Sequence, residues 1–322
     1  MYFPYLFARQ QELLALRDLA RELTDWDIVP ILEPASTDPK DLVRCLKELA
    51  VHDAACYLVM NPSVHNFPNP APASWSAAVG QQVAVNSLVY PVHQISNTQD
   101  AQLLRGFLAT HGADRAAVSL RSSQISPDDL AAAVDGLDVI VFVHDGVNHS
   151  AYLDALPVTQ GVLVGHRLNV KPRNADYLGG EWFTDAHRSY TGQGRPGYSD
   201  CGPLAPTFNK SGGPASAVAI HMTYVQDADI WVEHFVSDSV TLDDGDNASK
   251  LGEATAKLSA RVDAEPSKFV RSSGLKKFLD QHAMQKPTNL PTSKRQQVMH
   301  HLHTAAAARP SGVGASLGPA VP

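Results

Sequence analysis

The stretch Ala116–Gly165, AAVSLRSSQISPDDLAAAVDGLDVIVFVHDGVNHSAYLDALPVTQGVLVG, decides the fold of this chain. It contains three short apolar runs, Ala116–Leu120, Val139–Val143 and Val162–Val164, which are separated by segments with helical spacing. The first of these segments begins at Ser126-Pro127, a capping side chain followed by proline at the first helical position. Apolar runs that do not alternate with polar residues are typical of parallel strands covered on both faces. The stretch therefore predicts consecutive strand–helix units of a parallel sheet.

The same unit recurs on the N-terminal side of this stretch. Four earlier apolar runs precede helical segments: Tyr2–Phe7, Ile28–Leu32, Cys56–Met60 and Leu88–Val92. A series of seven such runs predicts a (β/α)8 barrel of the TIM-barrel type. The eighth strand lies at either Gly197–Asp200 or Ala217–Tyr224. An open doubly wound sheet is the alternative, but no glycine-rich turn follows the first strand, which favours the barrel.

The pattern changes after Asp200. Two β-rich runs, Ala217–Tyr224 and Ile230–Phe235, predict a hairpin or two late strands. Helical patterns follow, and we expect a terminal helix near Ser293–Ala308. We therefore divide the chain into a barrel domain at residues 1–240 and a helical extension at 241–285. A linker, the terminal helix and a disordered tail rich in Gly and Pro occupy 286–322.

Composition excludes several classes of protein. The 322 residues carry a formal net charge of -7, which argues against a general nucleic-acid-binding protein because phosphate binding needs a basic field. The three cysteines are too few for a disulfide framework, so a reducing, cytoplasmic setting is expected. The sequence shows neither a signal-peptide pattern nor an apolar stretch of membrane-spanning length.

Polar or charged residues stand at the end of every predicted strand. In a parallel barrel these C-terminal strand ends form the active site. We expect one group to act as bases or metal ligands: Glu33, His144, Asp145 and Asp200. We expect a second group to bind a ligand: Arg9, Asn61, Arg167, Asn174, Asp176 and Tyr198. Such groups suit acid–base chemistry on an anionic substrate. No cofactor can be identified, although the carboxylates are suited to a divalent metal. For any single residue the alternative is a solvated loop position or a helix cap.

The segment Gly161–Asp200 combines both charge signs with many glycines. Long loops without secondary structure are often functional lids. The aromatic residues Trp182, Phe183, Tyr190 and Tyr198 argue against plain disorder. We therefore expect a mobile lid or a substrate-binding segment.

Several stretches together resemble the bacterial and phage beta-family proteins. The opening MYFPYLFARQQELLALRDL and the strand IVPILEP carry the resemblance at the N-terminus. The segments NADY, GYSD and SGGPASAVAIHMTYV resemble a subgroup often encoded near phage-defence genes. The resemblance covers about residues 1–240, and it implies a TIM-barrel-like core and an antiviral setting. It points to Arg9, Glu33, Arg167, Asn174, Asp176, Tyr198 and Asp200.

Two functions stay open at this stage, and the sequence does not decide whether the chain is an enzyme. The first is a defence-system barrel whose mouth binds a phosphate- or nucleotide-type anion, with hydrolysis as the candidate reaction. The second is a non-catalytic recognition or assembly subunit that binds a partner protein from the same locus or a phage component. The sequence contains neither an H-E-x-x-H motif nor a paired C-x-x-C motif, which favours the second function.

Overall fold

The core of the molecule is a closed barrel of eight parallel strands. The computed structural model describes residues 1–64, 67–113, 115–204 and 213–309. The first barrel strand pairs in parallel with the second on one side and with the last on the other, so the sheet closes on itself. This confirms the predicted (β/α)8 barrel, and it shows that the open doubly wound alternative is wrong. The barrel strands are β1 (Tyr2–Leu6), β2 (Ile31–Leu32), β3 (Cys56–Val59), β4 (Val89–Ile95), β5 (Ala117–Leu120), β6 (Ile140–His144), β7 (Gly161–Gly165) and β9 (Tyr198–Asp200).

Helices cover the outer face of the barrel between successive strands. Those that precede β7 are α1 (Gln10–Asp18), α2 (Ala20–Leu23), α3 (Lys40–Val51), α4 (Ala73–Val85), α5 (Thr98–His111), α6 (Pro127–Val134) and α7 (His149–Ala155). The predicted cap of α6 is present, because the Ser126 side chain accepts a hydrogen bond from the Asp129 amide. Among the described residues, no helix is both long and apolar enough to cross a membrane.

Alternation along each barrel strand decides which side chains fill the interior. Phe3, Tyr57 and Phe142 meet inside the barrel, with ring centroids 5.3 Å apart for Phe3–Phe142 and 5.1 Å apart for Tyr57–Phe142. Neighbouring positions such as Tyr2 and Leu58 pack outward, under the helices. Because successive side chains of a strand point to opposite faces, this lower layer fixes the direction of every residue above it.

A three-stranded antiparallel sheet is attached beside the barrel. It contains β8 (Gly180–Thr184), β10 (Ala219–Gln226) and β11 (Asp229–Val236), in the order β10-β11-β8. β10 and β11 form the predicted hairpin, and its two turn residues, Asp227 and Ala228, both have positive φ. The helices α9 (Asn247–Ala264) and α10 (Ser273–Ala283) pack against one face of this sheet.

The last described helix, α11 (Leu290–Ala307), joins the barrel to this small sheet. It packs against α1 on one side and β10 on the other. Its polar side chains cover the outer edge of β10: Gln297 accepts from the His221 amide, and His300 and Thr304 contact the Thr223 carbonyl. A helix with so many buried polar residues is stable here because it satisfies the backbone groups of an edge strand.

The segment Gly161–Asp200 is not the long irregular loop that we expected. After β7 it contains a 3-10 turn at Asn174–Asp176, the strand β8 and the helix α8 (Ala186–Gly192). Phe183, Tyr190 and Tyr198 are buried and anchor a packed unit, whereas Trp182 is exposed. The expected tail at residues 310–322 lies outside the described residues.

Candidate site at the mouth of the barrel

Polar side chains from several strands meet where the barrel strands end. Tyr5 of β1, Glu33 after β2, Gln94 of β4 and Arg121 after β5 share one hydrogen-bond network. Each stands at an inward position above the apolar interior, as alternation requires. The barrel is therefore closed below by aromatic rings and carries a charged network at its mouth.

Glu33 is the centre of this network. It is fully buried and accepts four hydrogen bonds. Its Oε2 accepts from the Tyr5 hydroxyl at 2.5 Å and from Arg121 Nη1 at 2.6 Å. Its Oε1 accepts from Gln94 Nε2 at 2.7 Å and from the Ser63 amide at 3.3 Å. Four donors occupy the acceptor sites of a carboxylate, so Glu33 is arranged to position its neighbours and not to take a proton or a metal.

Arg121 connects the buried network to solvent. Its Nη1 donates to Glu33 and to the Tyr5 hydroxyl. Burial by itself lowers the pKa of Arg121, but Tyr5 and Glu33 beside it raise this pKa overall, so the guanidinium stays charged. The side chain is 24% exposed, and within the described chain neither Nε nor Nη2 has a hydrogen-bond partner. These N–H groups belong to a partly exposed side chain that Glu33 and Tyr5 hold in place.

Two histidines stand beside Arg121. The Nε2 of His144 lies 3.0 Å from the Ser119 hydroxyl, and His166 follows at the end of β7. Burial, followed by the charges of Arg121 and His166, holds the pKa of His144 well below its usual value. Burial is also the main cause of the lowered pKa of His166, against which Asp145 acts in the opposite direction. Both imidazoles are therefore neutral at neutral pH, and His144 Nδ1 and His166 Nε2 are buried without a hydrogen-bond partner.

Three of the predicted residues border this network and serve mainly to shape it. Asp145 Oδ2 accepts a 2.7 Å hydrogen bond from the His166 amide, which fixes the end of β7. Asn61 binds both backbone groups of Gln94, donating to its carbonyl and accepting from its amide at 2.8 Å. Arg167 folds back over Gly165, where a Cβ atom would overlap its guanidinium group.

Asp200 and Tyr198 do not lie at the mouth, contrary to our expectation. Cys201 belongs to the barrel interior, so the alternation turns Tyr198 and Asp200 outward, beneath α11. Tyr198 stacks on Tyr2 with ring centroids 4.6 Å apart. Asp200 is bonded to Tyr2, and His301 approaches it at 3.4 Å. The predicted placement was wrong because the inward phase of this three-residue strand cannot be read from its sequence.

The remaining predicted ligand-binding residues also have other partners. Arg9 is bonded to Glu12 at the start of α1, beside a cavity of about 280 Å³ on the rim between the first two βα loops. The side-chain amide of Asn174 donates to the Ala217 carbonyl, near the small sheet. Asp176 forms an exposed salt bridge with Arg173. None of these contacts includes Glu33 or Arg121.

The predicted carboxylates do not gather into a metal centre. Glu33 points into the barrel while Asp200 points out of it, and Asp145 binds the backbone. Across the described part of the chain, no group of three or more His, Cys, Asp or Glu side chains is arranged to share an ion.

Several members of the network were not among the predicted site residues. Tyr5 and Gln94 lie within strands, and Ser63 contributes a backbone amide, so a search of strand ends for charged residues passes over them. Arg121 does end a strand, and it contributes the exposed charge of the site. Every second residue before Glu33, Arg121 and His144 along their strands points into the barrel, as Ile31, Ala117 and Phe142 show.

Comparison with known proteins adds little to this geometry. No protein-family model matches the chain, and no curated protein matches it. One similar solved structure is a protein from Coccidioides immitis provisionally assigned to the dihydrodipicolinate synthase family. It is 7% identical with a TM-score of 0.41, over 97% of this chain and 88% of the other. Another is the spore cortex-lytic enzyme SleL from Bacillus cereus, 9% identical with a TM-score of 0.33, over 93% of this chain and 73% of the other. The barrel assignment rests on the observed strand pairing, and neither likeness bears on function.

Proposed function

We propose that the barrel mouth binds a small anionic ligand of the phosphate or nucleotide type. The observation that carries this proposal is Arg121, whose Nη1 is fixed by Glu33 and Tyr5 while its other N–H groups have no hydrogen-bond partner in the described chain. A guanidinium held in one orientation binds a phosphate or carboxylate with less loss of side-chain entropy than a free one.

The two neutral histidines supply the chemistry that such a site needs. His166 Nε2 is a buried nitrogen without a partner, and burial, with a smaller contribution from the charge of Arg121, lowers the pKa of its ring against the opposing effect of Asp145. An imidazole that is neutral at neutral pH can accept a proton from water, and an anion on Arg121 would place the scissile group beside it. We propose hydrolysis as the reaction class, with Glu33 as a positioning residue.

The cellular setting that we propose is anti-phage defence. It rests on the resemblance of the NADY, GYSD and SGGPASAVAIHMTYV segments to a defence-associated subgroup of beta-family proteins. A protein partner from the same locus belongs to this proposal, and phage infection of cells with and without Arg121→Gln would test whether the mouth matters to protection.

Thermal unfolding in the presence of inorganic phosphate, ADP and ATP tests the binding site. A ligand that binds only the folded state raises the free energy of unfolding by about 2.7 kcal/mol at a hundredfold excess over its Kd, and Tm rises as a result. We expect the shift in the wild type and in Arg105→Gln, an exposed guanidinium on α5, and its loss in Arg121→Gln. If Arg121→Gln does not fold, Arg121→Lys keeps the ion pair and should still weaken binding. Equal shifts in wild type and both Arg121 variants would refute the site.

A second candidate function is partner binding without catalysis, and exposed apolar residues beside the small sheet favour it. Leu178 is 83% exposed and Trp182 is 48% exposed, at the outer strand β8. Exposed apolar side chains that cluster on one surface often mark protein interfaces. This function would be supported if Leu178→Glu no longer co-purified with the locus-encoded partner. Val51→Glu, at an exposed position of helix α3, is the control and should still co-purify with it.

A further inference from the structure

Three ionisable side chains form a hydrogen-bonded chain on one face of the small sheet. His221 of β10 and His234 of β11 stand directly opposite each other, with their Nδ1 atoms 2.7 Å apart. The Nε2 of His234 lies 3.1 Å from Oε1 of Glu181 on β8. None of these residues belongs to the mouth network around Arg121.

Neighbouring groups hold this chain in one geometry. Asn169 donates to the second carboxylate oxygen of Glu181 at 3.1 Å, and Lys171 approaches it at 3.8 Å. The ring of Tyr177 packs on both imidazoles, with centroids 4.6 Å from His221 and 4.7 Å from His234. A base that is oriented by a second group, which is oriented by a third, is the arrangement that activates groups in acid–base catalysis.

Hydrogen-bond logic fixes the tautomers of the two rings. Glu181 can only accept, so His234 Nε2 carries a hydrogen and donates it. His234 Nδ1 then accepts, which requires that His221 donates from Nδ1. Burial is the main cause that lowers the pKa of His221, to about 3, and that of His234, so both rings are neutral. His221 Nε2 is left with its lone pair.

The Nε2 atom of His221 has no hydrogen-bond partner among the described residues, and the residue as a whole is partly exposed. Lys294, near the start of α11, lies close enough for its charge to lower the pKa of His221. Lys294 is exposed near the start of α11, three residues before Gln297, whose side chain accepts from the His221 amide. No carboxylate forms a salt bridge with Lys294 anywhere in the described ranges.

We propose that His221 is the general base of a second site, with Glu181 and His234 as its positioning residues and Lys294 as the group that attracts an anionic substrate. In the proposed step, His221 Nε2 takes the proton of a water or substrate hydroxyl. The O–H bond breaks, its electron pair stays on oxygen, and a new N–H bond forms. The positive charge that develops on His221 is stabilised through His234 by Glu181. This proposal uses none of the mouth residues and stands or falls separately from the site at Arg121.

The tautomers give a test that needs neither a ligand nor a variant. Long-range ¹⁵N–¹H NMR of the full chain distinguishes Nδ1–H from Nε2–H imidazoles. We expect His221 as the Nδ1–H form and His234 as the Nε2–H form at neutral pH. At acidic pH, once His234 also carries a proton on Nδ1, His221 should change to the Nε2–H form. Glu181 and Glu233 favour that protonation, Lys171 opposes it, and Lys294 opposes protonation of His221 itself. An Nε2–H form of His221 at neutral pH would overturn the proposal.

Reaction with diethyl pyrocarbonate tests whether the nitrogen is activated. The reagent forms a C–N bond to neutral imidazole, its anhydride C–O bond breaks, and ethyl carbonate leaves as carbon dioxide and ethanol. Acylation at Nε2 requires loss of the Nδ1 proton, which His234 and Glu181 are placed to accept. Peptide mapping should show modification of His221, with exposed His282 as the internal standard and buried His300 unmodified.

Variants distinguish activation of His221 by His234 and Glu181 from simple solvent exposure of His221. We expect Glu181→Gln and His234→Phe to slow modification of His221 about tenfold, an effect of about 1.4 kcal/mol. Glu48→Gln, which alters a surface carboxyl 3.5 Å from His52, should leave the rate unchanged. An unmodified His221 in the wild type, or equal rates in wild type and Glu181→Gln, would contradict the proposal. If the variants do not fold, the wild-type tautomers and the His221-to-His282 rate ratio still decide it.

Discussion

The Tyr2 hydroxyl donates a 2.6 Å hydrogen bond to Asp200, although 198 positions separate the two residues in the chain. The bond joins β1 to β9, the two strands that close the barrel. His301 of α11 completes the group, with its Nε2 2.9 Å from the Tyr2 hydroxyl. All three side chains are buried, so the first strand, the last barrel strand and the last described helix share one polar contact.

Asp200 is therefore expected to act on stability and not on ligand binding. An amide in Asp200→Asn can place a donor against the donors of Tyr2 and Gly202, and we expect a loss of about 2–4 kcal/mol in the free energy of unfolding. Denaturant unfolding measures this loss, and the exposed control Asp154→Asn should stay within about 0.5 kcal/mol of wild type. A stable Asp200→Asn protein that no longer binds phosphate or nucleotide would show that this assignment is wrong.

The same contact predicts how stability depends on pH. Burial by itself raises the pKa of Asp200, but hydrogen bonds from His301, Tyr2 and the Gly202 amide lower it overall from its ordinary value of 3.8. A lowered folded-state pKa contributes stability that is complete above the ordinary value. This stability is lost as the pH falls through the folded-state pKa. Urea unfolding between pH 2.5 and pH 6 should show a shallower acid decline in Asp200→Asn than in wild type. Parallel curves for the two proteins would argue against a lowered pKa.

Replacement by alanine should have opposite effects on stability at two helical glycines, Gly274 of α10, which lies against α11, and Gly106 of α5. A Cβ atom at Gly274 would overlap the Gln296 carbonyl oxygen and lie 2.9 Å from the His300 amide. Because both are backbone atoms, Gly274→Ala should cost about 2 kcal/mol or more. At Gly106 of α5 nothing lies within 4 Å, so Gly106→Ala should stabilise by about 0.5–1 kcal/mol. Thermal unfolding of the two variants checks both signs, and a stable Gly274→Ala would mean that the helices are not in close contact.

The β10–β11 turn offers a stabilising change. Asp227 and Ala228 have φ of 52° and 65°, the left-handed region that favours glycine. Ala228→Gly should raise the free energy of unfolding by about 0.5–1 kcal/mol, because relief of the left-handed strain exceeds the added entropy of the unfolded chain. Ala132→Gly, on the exposed face of α6, should lower it by about 1 kcal/mol. Equal losses in both variants would show that the turn is not strained.

The barrel could be predicted from the sequence because its strands are apolar and regularly spaced. The run Ile140–His144 and its neighbours read as parallel strands on pattern alone. The direction of side chains was harder to predict. Neither Ile31–Leu32, which precedes Glu33, nor Tyr198–Asp200 is long enough to show from its sequence which residue points inward. The position of α11 could not be predicted, because its buried histidines and glutamines match the edge of β10 and not a periodic apolar face.

The site also depends on contacts that no local pattern contains. Ser63, Gln94 and Arg121 reach Glu33 from positions 30, 61 and 88 residues away. His221 and His234 face each other only because Asp227 and Ala228 form a two-residue turn, which sets the register of the hairpin. Pairing across strands creates both sites, so the sequence can supply the residue types but not their neighbours.

The location of a bound anion tests the central claim most directly. Crystals of the wild-type protein can be soaked in selenate, and the anomalous signal of selenium then locates the anion. We expect an anomalous peak at the barrel mouth, within hydrogen-bond distance of the Arg121 guanidinium and next to His166. The same soak of Arg121→Gln crystals should lose that peak. Peaks confined to other surfaces, or a mouth peak that persists in Arg121→Gln, would contradict an anion-binding site built on Arg121.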